Sequence, residues 1–184
     1  DPDHIVIFPA LGDGFGFYGD PRELGLKNIA FTPHFYPGFF GWGEPTVETH
    51  TKWLTEGVQE WQRQAQAAGV PLLVGEFNPV LRAAGGAEMT ARAFDTYTSL
   101  GWAATMWSYK VFSSEGGIAG GSWGMVTNPP AGPAPGSQVG LNTSSLEEIE
   151  SYFASLSTME CVVYEELRDR LTGVAPQAAS GQAP

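Results

Sequence analysis

Positive charge is scarce in this 184-residue chain, where nine lysines and arginines stand against twenty aspartates and glutamates for a formal net charge of -11. Such a surface repels phosphate backbones and anionic headgroups, so neither nucleic acid nor a membrane is an expected partner. Cysteine is nearly absent. Cys161 alone forms no internal disulfide and no paired-thiol motif, and within the apolar run Cys161-Val162-Val163 it is expected to be a buried, inert thiol. No apolar run reaches the ~20 residues of a membrane-spanning helix, and no signal-peptide pattern is read within these residues, which says little of what lies upstream. The three histidines, His4, His34 and His50, are scattered without a second ligand at metal spacing, so no metal and no cofactor is expected. An initiator methionine is also missing. The chain opens with Asp1-Pro2-Asp3 directly before a strand, and its natural N-terminus is expected to lie upstream.

What is present is apolar and ordered. With 42% hydrophobic and 16% charged residues, the chain has enough apolar surface for a real core. Four apolar runs read as strands: Ile5-Val6-Ile7-Phe8, Ile29-Ala30-Phe31-Thr32, Leu72-Leu73-Val74 and Ala103-Ala104-Thr105-Met106. Each is apolar on both faces, as buried parallel strands are. Leu54, Val58, Trp61, Ala65 and Ala68 mark a helix before Gly69, and Met89, Ala93, Tyr97 and Leu100 mark another before Gly101. Strand alternating with helix predicts an α/β fold with a parallel sheet.

Residues 113–140, rich in glycine and proline, read as one extended loop. Ser145 and Glu148 then suit a capping box, with Leu146, Ile149, Phe153 and Leu156 as a buried stripe, and a second amphipathic piece holds Val163, Leu167 and Leu171. One domain is expected over 1–173. The Ala, Gly, Pro, Gln and Ser of 174–184 read as a disordered tail or the start of a linker.

The strongest chemical signal is Val70-Pro71-Leu72-Leu73-Val74-Gly75-Glu76-Phe77-Asn78. A period of two puts Leu72, Val74 and Glu76 on one face, so that a carboxylate crowns an apolar column at the C-terminal end of a strand. Chemistry collects at that end of a parallel sheet, although a carboxylate there also serves as a cap for the next helix. The neighbouring strand ends carry functional groups in matching register: Thr32, His34 and Tyr36 on one, Thr105 and Trp107 on the other. Packing alone does not ask for three such ends in a row.

The set of Gly75-Glu76-Phe77 after an apolar strand, His34-x-Tyr36 one strand earlier and Trp107 one strand later resembles glycoside hydrolase family 5, in that family's order, from about Ile5 to Leu171. The resemblance implies the C-terminal half, strands five to eight, of a (β/α)8 TIM barrel with a retaining, two-carboxylate mechanism. It implies Glu76 as nucleophile, Tyr36 as the hydroxyl that holds that carboxylate ionised and oriented, and His34 as the histidine beside the scissile sugar. Trp107 would be the aromatic platform under that sugar, and Trp42 and Trp123 would extend the cleft or anchor loops.

The resemblance also has a gap. The family's acid/base glutamate follows an asparagine after the fourth strand, and no Asn-Glu pair occurs here; Gly43-Glu44-Pro45 falls after the wrong strand and lacks the asparagine. The implied partners are therefore an oligo- or polysaccharide and a missing N-terminal half of the barrel, and the chain alone is expected to be inactive. Polysaccharide substrates and a linker-like tail imply secretion. Two alternatives stand beside a glucan-cleaving β-glycosidase. One is a non-catalytic carbohydrate-binding pseudoenzyme fragment. The other, a complete flavodoxin-like domain, is disfavoured because no phosphate loop opens a helix after Gly12-Asp13-Gly14-Phe15-Gly16.

Overall fold

The computed structural model describes residues 3–10, 14–78, 85–112, 123–129 and 139–173. The chain divides into two compact units, Asp1–Trp107 and Ser108–Pro184.

The first unit runs β1 (Val6–Ala10), a 3-10 turn (Gly16–Tyr18), β2 (Ile29–Phe35), α1 (Val47–Lys52), a π-helical turn (Trp53–Gly57), α2 (Val58–Ala68), β3 (Leu73–Val74), β4 (Glu76–Phe77), α3 (Gly86–Ser99) and β5 (Ala103–Ala104). All pairings among these strands are parallel: β1 with β2, β2 with β4, and β3 with β5. A parallel bridge between Phe31 and Leu72 joins β2 to the residue just before β3. Each of the four expected strands therefore lies where the apolar runs stand, β3 on the third of them, and β4 follows as a further short strand.

The helices form for the reasons their periods suggest. Thr46 caps α1 by accepting from the Thr49 N–H at 3.1 Å. Leu54, Val58, Trp61 and Ala65 are buried one turn after another, and the run ends at Gly69 with φ 66°, a left-handed conformation that glycine adopts without steric cost. Met89, Ala93 and Tyr97 give α3 its buried face. Between helices and strands lies an aromatic core in which the Phe35 ring is 4.5 Å from Trp53, 5.1 Å from Trp61 and 6.0 Å from Tyr97. Full burial of each such side chain contributes roughly 1.5–3 kcal/mol relative to exposure. Ile5 just before β1 and Val6 and Ile7 within it are exposed, and the strand's other edge is unpaired among the described residues. Pro9, which has no N–H to donate, sits in that edge strand.

The second unit holds β6 (Val126–Thr127) antiparallel to β7 (Val162–Val163), with α4 (Leu146–Ser157) and α5 (Glu165–Thr172). The capping box is present: Ser145 Oγ accepts from the Glu148 N–H at 3.3 Å, and Glu148 Oε2 accepts from the Ser145 N–H at 2.7 Å. Four expectations need correction. The stripe on α4 is not buried: Leu146 is 70% exposed, Phe153 56% exposed, and no residue of the helix is buried. A cap and a period suffice to shape a helix, but burial needs a partner face. Val163 belongs to β7 rather than to a helix, because the β-branched pair Val162-Val163 ladders with Val126-Thr127, and only Leu167 of α5 is buried. Cys161 is exposed, since it precedes a two-residue strand paired on one side; its Sγ lies 3.5 Å from the Met159 carbonyl. The 113–140 stretch is not loop throughout, for β6 lies inside it, but 113–122 and 130–138 fall outside the described residues, as does the 174–184 tail.

Candidate active site

The strand bearing Glu76 contains one residue more than either neighbour. Phe31 pairs with Leu72, and His34, three residues on, pairs with Glu76, four residues on. On the other side, the Thr105 N–H donates to the Val74 carbonyl and the Trp107 N–H, two residues on, donates to the Phe77 carbonyl, three residues on, both at 2.9 Å. This is a bulge at Gly75-Glu76, and a bulge moves every later side chain to the other face. It lies opposite Pro33, which accepts from the Gly75 N–H at 3.0 Å but has no N–H of its own for the ladder.

The bulge decides where Glu76 points. Leu72 and Val74 are buried in the core, and strict alternation would send Glu76 after them. Phe77 takes that face instead, its ring 4.8 Å from Phe94 and 5.2 Å from Tyr97, and Glu76 turns to the opposite face beside His34. The sequence expectation that Leu72, Val74 and Glu76 share a face is thus corrected. Gly75 has to be glycine: a Cβ there would collide with Thr32 Oγ1 and stand 2.9 Å from His34 Nε2.

Three of the expected residues meet at this point. The Tyr36 hydroxyl donates to Glu76 Oε2 at 2.7 Å, and His34 Nδ1 lies 3.4 Å from the same oxygen. Both contacts fall on Oε2; none of the described residues bonds Oε1. Burial pushes the Tyr36 hydroxyl well above the usual tyrosine range, and the neighbouring Glu76 carboxylate adds to the effect by accepting its proton in a hydrogen bond. Tyr36 therefore remains a donor throughout the neutral range. His34 and Glu76 are partly open to solvent, whereas Tyr36 is buried.

Trp107 is tied to the same strand by its backbone. Its N–H bonds the Phe77 carbonyl, and its carbonyl accepts a short hydrogen bond from Asn78 Nδ2, while its side chain is 50% exposed. Asn78 is itself buried, and sequence reading assigned it no role. The available signal was its position: a polar residue two places beyond Glu76, at a strand end that is otherwise apolar. Thr105 adds a third tie, its Oγ1 donating to the Gly75 carbonyl at 2.5 Å. Trp42, in the loop after β2, rests against Trp53, ring centroids 5.7 Å apart. Trp123 belongs to the second unit, where its carbonyl accepts from the Ser108 N–H at 3.1 Å.

The model of the cellulase family, glycosyl hydrolase family 5, matches residues 3–113, and the chain belongs to that family, whose fold is a (β/α)8 barrel. No curated protein matches the chain. Among solved structures it is similar to an endoglucanase (17% identity, TM-score 0.42, over 57% of this chain and 40% of that one). It is also similar to endo-glycoceramidase II from Rhodococcus sp. (23% identity, TM-score 0.43, over 73% and 30%) and to the cellulose synthase subunit Z of Clostridioides difficile (16% identity, TM-score 0.37, over 53% and 38%). The chain spans 40% or less of the length of each of these three proteins.

Proposed function

We propose that the chain is the nucleophile-bearing C-terminal half of a family 5 barrel, which cleaves β-glycosidic bonds of a glucan-like polysaccharide by retaining double displacement. The observation that carries this reading is the convergence of Tyr36 and His34 on one oxygen of Glu76, on the bulge that turns this carboxylate out of the core. With Oε2 held by two neighbours, Oε1 is the atom left to attack the anomeric carbon. Attack forms an ester between Glu76 and the sugar and releases the leaving oxygen, which takes a proton from the general acid; water then cleaves the ester with overall retention. Tyr36 keeps its proton, so its hydroxyl orients the carboxylate without competing as a base. The Trp107 face stacks under the sugar at the cleavage point, pairing indole with the C–H face of the pyranose. Trp42 extends that surface.

The general acid comes from a partner, the N-terminal half of the barrel, because no Asn-Glu pair occurs in this chain. Loss of a general acid costs typically ~10²–10⁴ in rate, so the chain by itself turns over poorly or not at all. Secretion is the location that a polysaccharide substrate implies.

A 2-deoxy-2-fluoro glucoside with a dinitrophenolate leaving group tests the reading, since that leaving group needs no acid. Mass spectrometry of the chain co-folded with a family 5 N-terminal half is expected to find one fluorosugar on the Glu76 peptide, absent in Glu76→Gln. The missing acid also favours a second reading, a carbohydrate-binding pseudoenzyme, for which glycan binds and no ester forms.

A further inference from the structure

The loop after β2 presents an aromatic ring beside Tyr36 in a conformation that stability alone does not favour. Phe40 has φ 52°, one of two non-glycine residues with positive φ among those described, and bulky side chains rarely adopt that region. Its side chain is 78% exposed, so little burial offsets the strain. The loop is nevertheless tightly built. Gly38, at φ 87°, lies so close to the backbone of Glu44 and Pro45 that a Cβ would collide with both, and Gly41 follows at φ 91°. The Phe40 ring stands edge-on to Tyr36, centroids 5.4 Å apart at 86°, and Tyr36 is the residue that bonds Glu76. Strained residues persist where surrounding structure imposes them, and they cluster at sites of function.

We infer that Phe40 is a substrate-binding residue, its exposed face stacking on the pyranose ring next along the glycan from the sugar held at Glu76. The inference rests on the glycosidase reading for the occupant, but not on the role of Trp107. Phe40 is open to solvent over most of its surface, and a phenyl face pairs with the axial C–H face of a sugar. Phe40 lies in the loop that follows the strand end bearing His34, one ring beyond the residue that orients the nucleophile. A glycan with one ring at Glu76 then extends its neighbour over Phe40.

A stabilising anchor and a substrate platform predict opposite signs for one variant. Phe40→Gly in the chain co-folded with a family 5 N-terminal half is expected to raise the melting temperature, because glycine adopts φ 52° freely, and to weaken binding of cellotetraose by ~3–10-fold in calorimetric titration. Phe40→Trp is expected to hold or improve that affinity. A fall in melting temperature for Phe40→Gly, or unchanged cellotetraose affinity with wild-type binding intact, would overturn the inference alone. An effect confined to octyl glucoside would overturn it in favour of an apolar aglycone. A wild-type chain that, co-folded with a family 5 N-terminal half, binds neither cellobiose nor cellotetraose would overturn the glycosidase reading and this inference with it.

Discussion

Gly75 and Glu76, neighbours in sequence, both face the side of the sheet that carries Thr32 and His34. Consecutive residues of a regular strand face opposite sides, so this shared orientation is the bulge itself. Its consequence is chemical. The carboxylate leaves a core that holds Leu72, Val74 and Phe77 and arrives within reach of a tyrosine hydroxyl and an imidazole.

Gly75→Ala is expected to cost about 1–3 kcal/mol, the range for forcing a methyl group into packed surroundings. The added Cβ meets Thr32 Oγ1 and the His34 ring, neither of which is the far end of a long, flexible side chain. Urea midpoints measure the stability, and the His34 ring resonances should shift with the substitution. A Gly75→Ala chain as stable as the parent, with His34 undisturbed, would mean that the strand accommodates a Cβ and that the glycine is incidental.

Tyr36→Phe removes the hydroxyl donor to Glu76 Oε2 and little volume. A hydrogen bond to a charged group contributes about 1.5–3 kcal/mol, so labelling of Glu76 by the activated fluorosugar should slow by roughly 10–100-fold with the fold unchanged. Circular dichroism and labelling rate together check it. Unchanged labelling would show that His34 alone suffices to orient the carboxylate.

The four strands and the helices of the first unit were legible because their signal is local: apolar runs between glycines, and a 3.6-residue period along α2 and α3. The triad of Glu76, Tyr36 and His34 was legible only because a motif names the residues; the period of two, applied to Leu72, Val74 and Glu76, gives the wrong face. A one-residue bulge leaves no trace in hydrophobic alternation, since it depends on how three strands pair. Gly75 and Pro33, one without a side chain and the other without an N–H, are the two residues that allow it. In the second unit the α4 stripe misled for a related reason. Leu146 and Phe153 have the spacing of a buried face, but spacing does not supply what covers it.

Asn78→Ala should loosen Trp107 without touching the core face of α3. The amide of Asn78 is buried and its donor goes to the Trp107 carbonyl, so truncation strands a carbonyl at a cost of about 1–3 kcal/mol. With fluorotryptophan at all six positions, the Trp107 resonance should shift or broaden while those of buried Trp61 and Trp102 stay in place. Movement of the Trp61 and Trp102 signals as well would show that Asn78 supports the whole unit rather than Trp107.

Stability should fall on both sides of neutrality, for separate reasons that single variants resolve. On the acid side, His50 is buried in α1, its Nδ1 3.0 Å from the Thr46 carbonyl and its Nε2 without a partner among the described residues. Burial lowers its pKa, opposed by the Thr46 carbonyl, so the folded chain prefers the neutral ring and the unfolded chain binds the proton more readily. The stability this supplies is present above the unfolded value of about 6.5 and is lost as pH falls from there through the lower folded value. On the alkaline side, burial raises the hydroxyls of Tyr36 and Tyr97, and these hold their protons in the fold after unfolded tyrosines have lost theirs. That contribution is complete below about 10 and is lost as pH rises from there through the folded values. Urea midpoints from about pH 5 to 11 should therefore form a plateau with two falling limbs. His50→Gln should flatten the acid limb alone, and Tyr36→Phe should flatten part of the alkaline limb alone. An acid limb that survives in His50→Gln would place its origin in the carboxylates instead.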